Sequence, residues 1–185
     1  DPAKRAGRDA ERDAREGFVS MGEAAEYLGQ ISRSEQQKHA NPKGQSSFNP
    51  SVTLILGGQI DGERPGVFLV YPEGNFIRAG DRTPFLQIGE TKYGKPILDR
   101  ALTHDTSIVH GVKLALVSMD STLRSNVTVG LPVDLVTYKR DSMHFGVRRR
   151  INEDDPYFEA LRTQWSEALR NALESAPDAP WDVTS

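Results

Sequence analysis

The chain has 185 residues, a mass of 20.5 kDa, a formal net charge of −3 and no cysteine. That length fits one domain, 1–185, and a chain of this size buries roughly 70% of its unfolded surface, so it needs no covalent staple. The missing thiols exclude disulfides, thiolate metal sites and cysteine nucleophiles, the acidic balance argues against nucleic-acid and anionic-membrane partners, and no apolar run reaches the ~18 residues of a membrane span.

Residues 1–16 carry ten charged side chains of both signs and almost nothing to bury, the pattern of a solvated helix extension or tail. From Gly17 a core unit, 17–175, begins. Phe18, Met21, Ala24 or Ala25, Leu28 and Ile31 recur at the spacing of one helix face. The pattern fades through Ser32–His39 and is broken at Asn41-Pro42-Lys43-Gly44.

Strands are expected at Ser51–Ile60 and Val67–Tyr71, joined as an antiparallel hairpin by the turn-forming Asp61–Gly66. Asn75–Arg78 reads as a third short strand and Phe85–Ile88 as a strand running into Gly89. Two helices follow. Tyr93–Leu102 is short, with Pro96 tolerable only in its first turn. Ser107–Leu123 is apolar around most of its circumference and so is packed on more than one side.

Strands return at Leu131–Tyr138 and His144–Ile151. A last helix starts with Asp155 as N-cap and Pro156 at the first helical position, with Phe158, Leu161, Trp165, Ala168 and Ala172 as its inner stripe. Residues 176–185 form a tail in which Trp181 is expected to be anchored, on a neighbouring subunit. Grouped strands and helices point to an α+β layered fold. Strands such as Val52–Leu56, apolar at consecutive positions, need cover on both faces. Two stacked sheets with a helix layer on each outside satisfy that.

Few local patterns carry chemistry. Gly89-Glu90-Thr91-Lys92-Tyr93-Gly94-Lys95-Pro96 fits the spacing of a phosphate-binding loop, between a strand and a helix. Pro96 replaces the hydroxyl residue that would hold Mg²⁺, so the better reading is a strand-to-helix turn with amides at a helix N-terminus. His39, His104, His110 and His144 lack metal-ligand spacing, so neither metal nor cofactor is expected. Glu153-Asp154-Asp155 reads as a helix cap, and Arg148-Arg149-Arg150 as an exposed strand face or a subunit contact. Asp120–Asn126 is dense in polar groups. It reads either as a helix C-terminal cap or as a polar shell behind an active site.

Leu56–Ile60, Phe68–Ile77, Gln87–Arg100 and Ala115–Asn126 closely resemble the Anbu family, bacterial relatives of the proteasome β subunit and of HslV. The resemblance runs from about Gly17 to Trp181. It implies a four-layer αββα sandwich of the N-terminal-nucleophile hydrolase type. It also implies a threonine-type peptidase or amidase, with the hydroxyl of an N-terminal Thr as nucleophile, its own amine as base and a nearby Lys. In that family these groups lie upstream of the first helix, so none is expected on this chain, which is expected to be the C-terminal portion of a subunit.

What remains is a candidate supporting shell. Gly89, Glu90, Thr91 and Lys92 are similar to the proteasome's Gly-Ser-Gly-Ser loop, which holds the N-terminal amine. Asn126-Val127-Thr128-Val129-Gly130 is similar to its Asp-x-x-Ser-Gly, with Asn126 at the Asp and Val129 at the Ser. Both changes remove groups that tune the amine, and Glu90 is a candidate for the missing negative charge. Asp120, Ser125 and Gly130 complete the candidate shell. The expected partners are copies of itself in a ring or helical oligomer and a peptide or amide substrate, in the cytoplasm. An unfolding ATPase is not legible. The alternative is an assembly subunit of the same fold with weak or no catalysis.

Overall fold

The computed structural model describes residues 17–39 and 49–181. The charged stretch 1–16, the helix break at 41–44 and the last four residues of the tail lie outside them. Helix α1 spans Met21–His39. Strands β1 (Leu54–Gly58), β2 (Gly66–Val70) and β3 (Phe76–Arg78) form an antiparallel sheet in that order. Helices α2 (Lys95–Ala101) and α3 (Ile108–Ser125) follow. Strands β4 (Val133–Tyr138) and β5 (Phe145–Ile151) form a second antiparallel sheet, and α4 (Pro156–Glu174) closes the core unit. This is the α+β class that the sequence predicts.

The first sheet alternates. Gly66, Phe68 and Val70 of β2 are buried, and α1 packs over β2 and β3 through the small residues Ala25, Gly29 and Ser32. A helix face of small residues lets the backbones lie close. The other face carries Ile55, Leu69 and Ile77, which are register neighbours across the three strands. Ile55, Ile77 and the adjacent Val67 are 39–45% exposed. The apolar face that needs a second cover has none among the described residues.

The second sheet is covered by α3 and α4. Leu116, Ile151 and Phe158 form the buried cluster, with Val112, Leu123, Val133, Leu135 and Leu161 packed on it. Asp155 starts α4: its Oδ1 accepts from Tyr157 N and Phe158 N, both at 3.0 Å. Its other oxygen pairs with Arg149 Nη2 at 2.6 Å, which fixes the helix start to β5.

One residue ties the two sheets together. Gln59, just past β1, accepts from Tyr138 Oη at 2.9 Å and from Asp141 N at 2.8 Å. Its amide donates to Asp141 Oδ1 at 2.6 Å. Asp141 and Met143 both have positive φ, 62° and 53°. The Gln59 bonds hold Asp141 in a backbone region that non-glycine residues seldom adopt.

Helix α1 runs to His39, just short of the predicted break at Asn41, and Gln36 Nε2 donates to Ser32 Oγ at 3.0 Å and to Pro72 O at 3.2 Å, tying its polar last turns to the β2–β3 turn. Two expectations change. Phe85–Ile88 is not a strand, since nothing among the described residues pairs with it. The α4 stripe is buried at Phe158 and half-buried at Leu161 and Trp165, but exposed at Ala168 and Ala172. Trp181 is 68% exposed.

Arg149, and then the amides of Phe158 and Tyr157, hold the Asp155 carboxyl below its usual 3.8. A carboxyl lowered on folding stabilises the fold above about pH 4 and loses that contribution as pH falls through its folded value. Asp155→Asn keeps a capping side chain but removes this titration. Urea midpoints measured from pH 7 to pH 3 should fall less steeply for Asp155→Asn than for the parent chain.

Candidate functional site

The turn between Phe85–Ile88 and α2 lies against the C-terminal end of α3. Gly89 enters it with φ +75°, a backbone conformation that glycine adopts without strain. Glu90 then folds back on its own loop, and its Oε1 accepts from Lys92 N at 3.0 Å. Its Oε2 accepts from Asn126 Nδ2, also at 3.0 Å and 36 residues away in sequence. Thr91 contributes its carbonyl, which accepts from Lys95 N at 3.0 Å and leads the chain into α2. Lys92 and Tyr93 are exposed.

Gly94 sets the spacing. It is buried at the N-cap of α2, and a Cβ there would lie 2.3 Å from Ser118 Oγ and 2.9 Å from Ser118 O. Ser118 and Thr122 are one turn apart on α3, and Thr122 Oγ1 donates to Ser118 O at 3.0 Å. Both are buried under the turn. The Thr122 hydroxyl is thus taken up inside the contact between α2 and α3.

Asn126 does two jobs. Its N–H donates to Thr122 O at 2.9 Å and ends α3. Its side-chain oxygen accepts from Thr128 N at 2.9 Å and Thr128 Oγ1 at 2.7 Å, an Asx turn that orients the amide toward Glu90. The helix cap and the polar bridge to Glu90 therefore coexist in one residue.

The predicted shell is only partly brought together. Gly89, Glu90, Thr91, Lys92 and Asn126 share one turn-and-cap junction. Asp120 is elsewhere: buried, it accepts from Arg124 Nε at 3.1 Å and Arg162 Nε at 2.6 Å, and so ties α3 to α4. Ser125 is exposed and makes no side-chain hydrogen bond among the described residues, and Gly130 is exposed at the end of the loop. Gly94, Ser118, Thr122 and Thr128 also support the junction, although they lie outside the predicted shell. The one signal was Ser118 and Thr122 at helical spacing opposite a glycine-lysine pair.

Lys95, the lysine of the phosphate-loop spacing, has its Nζ on Asp99 Oδ1 at 2.7 Å, one turn along α2. No group of acidic residues and histidines among the described residues is arranged to hold a metal. No described helix is long and apolar enough to cross a membrane. What the junction presents is a fixed carboxylate. Each oxygen of Glu90 accepts one hydrogen bond and keeps a lone pair for a second donor. Among the described residues no hydroxyl, imidazole or ammonium group bonds to it.

No protein-family model and no curated protein matches the chain. Solved structures do. One is Anbu (ancestral β-subunit) from Yersinia bercovieri, at 44% identity and TM-score 0.82, over 89% of this chain and 68% of that one. Another is Anbu in a helical assembly from Pseudomonas aeruginosa, at 40% identity and TM-score 0.82, over 96% and 76%. This chain belongs to the Anbu family. Anbu from Hyphomicrobium sp. strain MC1 is 46% identical, with TM-score 0.79, over 90% of this chain and 66% of its own. The chain thus spans about two thirds to three quarters of the length of these Anbu proteins. The Anbu fold is the proteasome-like N-terminal-nucleophile type that the resemblance implies.

The close approach at Gly94 is testable. Gly94→Ala should lower the unfolding free energy by about 1–3 kcal/mol, the range for overpacking a tight contact. Gly111→Ala, in α3 with nothing within 4 Å of its added methyl, should raise it by about 0.4–1 kcal/mol. Urea denaturation of both variants checks the pair.

Proposed function

We propose that the chain is a subunit of a proteasome-type threonine peptidase or amidase that works in the cytoplasm within a self-assembled oligomer. The observation that carries this is the Glu90–Asn126 hydrogen bond of 3.0 Å. It fixes a carboxylate on the turn that is similar to the loop holding the N-terminal amine in proteasome β subunits. Membership of the Anbu family supports the same reading, and the helical assembly of the Pseudomonas aeruginosa relative supports self-association.

In this reading the nucleophile, an N-terminal Thr, and its Lys come from outside these 185 residues. The amine takes the hydroxyl proton as the oxygen attacks a carbonyl carbon. It becomes an ammonium, and Glu90 accepts a hydrogen bond from it. A carboxylate at that distance favours the charged amine and raises its proton affinity. Asn126 restrains Glu90, so the charge is in place before the proton moves. Gly89 and Gly94 shape the turn, and Thr91 and Lys92 contribute backbone groups to it.

A second reading, a scaffold subunit without efficient catalysis, has one observation in its favour. Glu90 already accepts from Lys92 N and Asn126 Nδ2 within the chain, so the turn holds together without a substrate or an amine.

Treatment of the intact, assembled protein with a β-lactone or epoxyketone separates the two. The peptidase reading expects one adduct per subunit, on an N-terminal threonine. Absence of an adduct together with absence of peptide hydrolysis would sink it in favour of the scaffold. Glu90→Gln should slow hydrolysis on the order of ten- to a hundredfold. It should also move the acid limb of the rate profile to lower pH, because the amine loses the charge that raised its proton affinity.

A further inference from the structure

Helix α4 changes character along its length. Its first half is packed, with Phe158 only 2% exposed. In its second half Leu169 and Leu173 are 52% and 78% exposed, and Trp181 follows at 68%. The segment between is Ala176-Pro177-Asp178-Ala179-Pro180. Two prolines in five residues favour an extended arm with little entropy left to lose on docking. From Ser175 to Trp181 such an arm reaches roughly 19 Å at about 3.1 Å per residue. An indole is the side chain that most often dominates an interface, and here it is held in water at the end of a short stiff arm.

The same chain carries a receptor of matching size and chemistry. Between the start of α3 and the middle of α4 lies an open cleft of about 570 Å³. Its apolar wall is Leu114, Val117, Leu161 and Trp165, and His110 and Lys113 stand on its rim. Lys113 has no ion pair among the described residues, whereas the rim's Asp105 lies 3.7 Å from His104 Nδ1. The arm's single charge is Asp178, three residues before Trp181. An anionic arm ending in an indole meets a cleft with an aromatic wall and a free cation. The contact joins two different surfaces, so it is heterologous, and repeated contacts of that kind build rings or helices.

We propose that Trp181 of one copy of this chain seats in the Leu114–Leu161–Trp165 cleft of the next, with Asp178 against Lys113. The inference rests on the self-assembly part of the function proposed above and names its contact. Burial of the indole removes apolar surface from water, and the Asp178–Lys113 pair sets the register of the arm.

Sedimentation velocity of the full chain over a concentration series tests this. Trp181→Ala should weaken self-association about 30-fold, the loss expected of an interface anchor. Lys113→Glu should weaken it as well, and Asp178→Lys placed in the same chain as Lys113→Glu should restore most of the loss. Mixing Trp181→Ala with the cleft variant Leu114→Glu leaves one intact arm and one intact cleft. The mixture should therefore form pairs and nothing larger, while each variant alone stays monomeric. Lys113→Glu, on the half-buried rim, replaces Leu114→Glu should the latter not fold.

A parent chain that is monomeric throughout the series overturns the self-assembly reading and this contact with it. A parent that assembles, with Trp181→Ala and Lys113→Glu assembling equally well, overturns this contact alone. A Trp181→Ala chain that loses monomer stability but no association places the arm on its own cleft, and that also overturns the proposal.

Discussion

The close approach of Gly94 to Ser118 is the constraint from which the geometry around Glu90 follows. With no side chain at position 94, the N-terminus of α2 lies directly on α3, over the hydroxyls of Ser118 and Thr122. That contact places the Gly89–Lys92 turn beside the end of α3, where Asn126 both closes the helix and reaches Glu90. A methyl group at residue 94 would push the turn off the helix by more than the slack of one hydrogen bond. Packing between two helices thus determines where one carboxylate can be.

The remainder of the fold holds this junction in place by charge as much as by apolar contact. Asp120 is buried between Arg124 and Arg162, so the same helix that supports the turn is locked to α4 on another side. Asp155 caps α4 and pairs with Arg149 of β5. Gln59 joins the two sheets through Tyr138 and Asp141. Each of these bridges links elements far apart in sequence. Together they give a small apolar cluster, Leu116, Ile151 and Phe158, a defined surround.

Much of this was legible in the sequence wherever a local rule decides. Asp155 followed by Pro156 marks a helix start because a side-chain acceptor and a ring without an N–H suit those two positions, and α4 begins there. The apolar, branched run Val67–Tyr71 predicted a strand, and β2 runs from Gly66 to Val70. The Gly89–Lys92 turn and Asn126 were readable as a pair through the family resemblance, although nothing in their spacing implies contact across 36 residues. Gln59 was invisible for the same reason, its partners lying about 80 residues on. Asp120 was misleading, since a carboxylate near a polar cluster looks like part of it, and only the helix phase turns it toward Arg162 instead. Phe85–Ile88 has strand composition but no partner among the described residues, and composition alone cannot supply one. Trp181 is informative in the opposite sense: its type asks for burial, and the fold leaves it in water.

The central claim is that the Glu90 carboxylate, restrained by Asn126, receives the amine of an N-terminal-nucleophile site. A high-resolution structure of the assembled, active protein tests it most directly. The account predicts an N-terminal amine nitrogen within about 3 Å of a Glu90 oxygen, with the Asn126 bond retained. A Glu90 side chain facing only solvent, with the amine held by other groups, would contradict it.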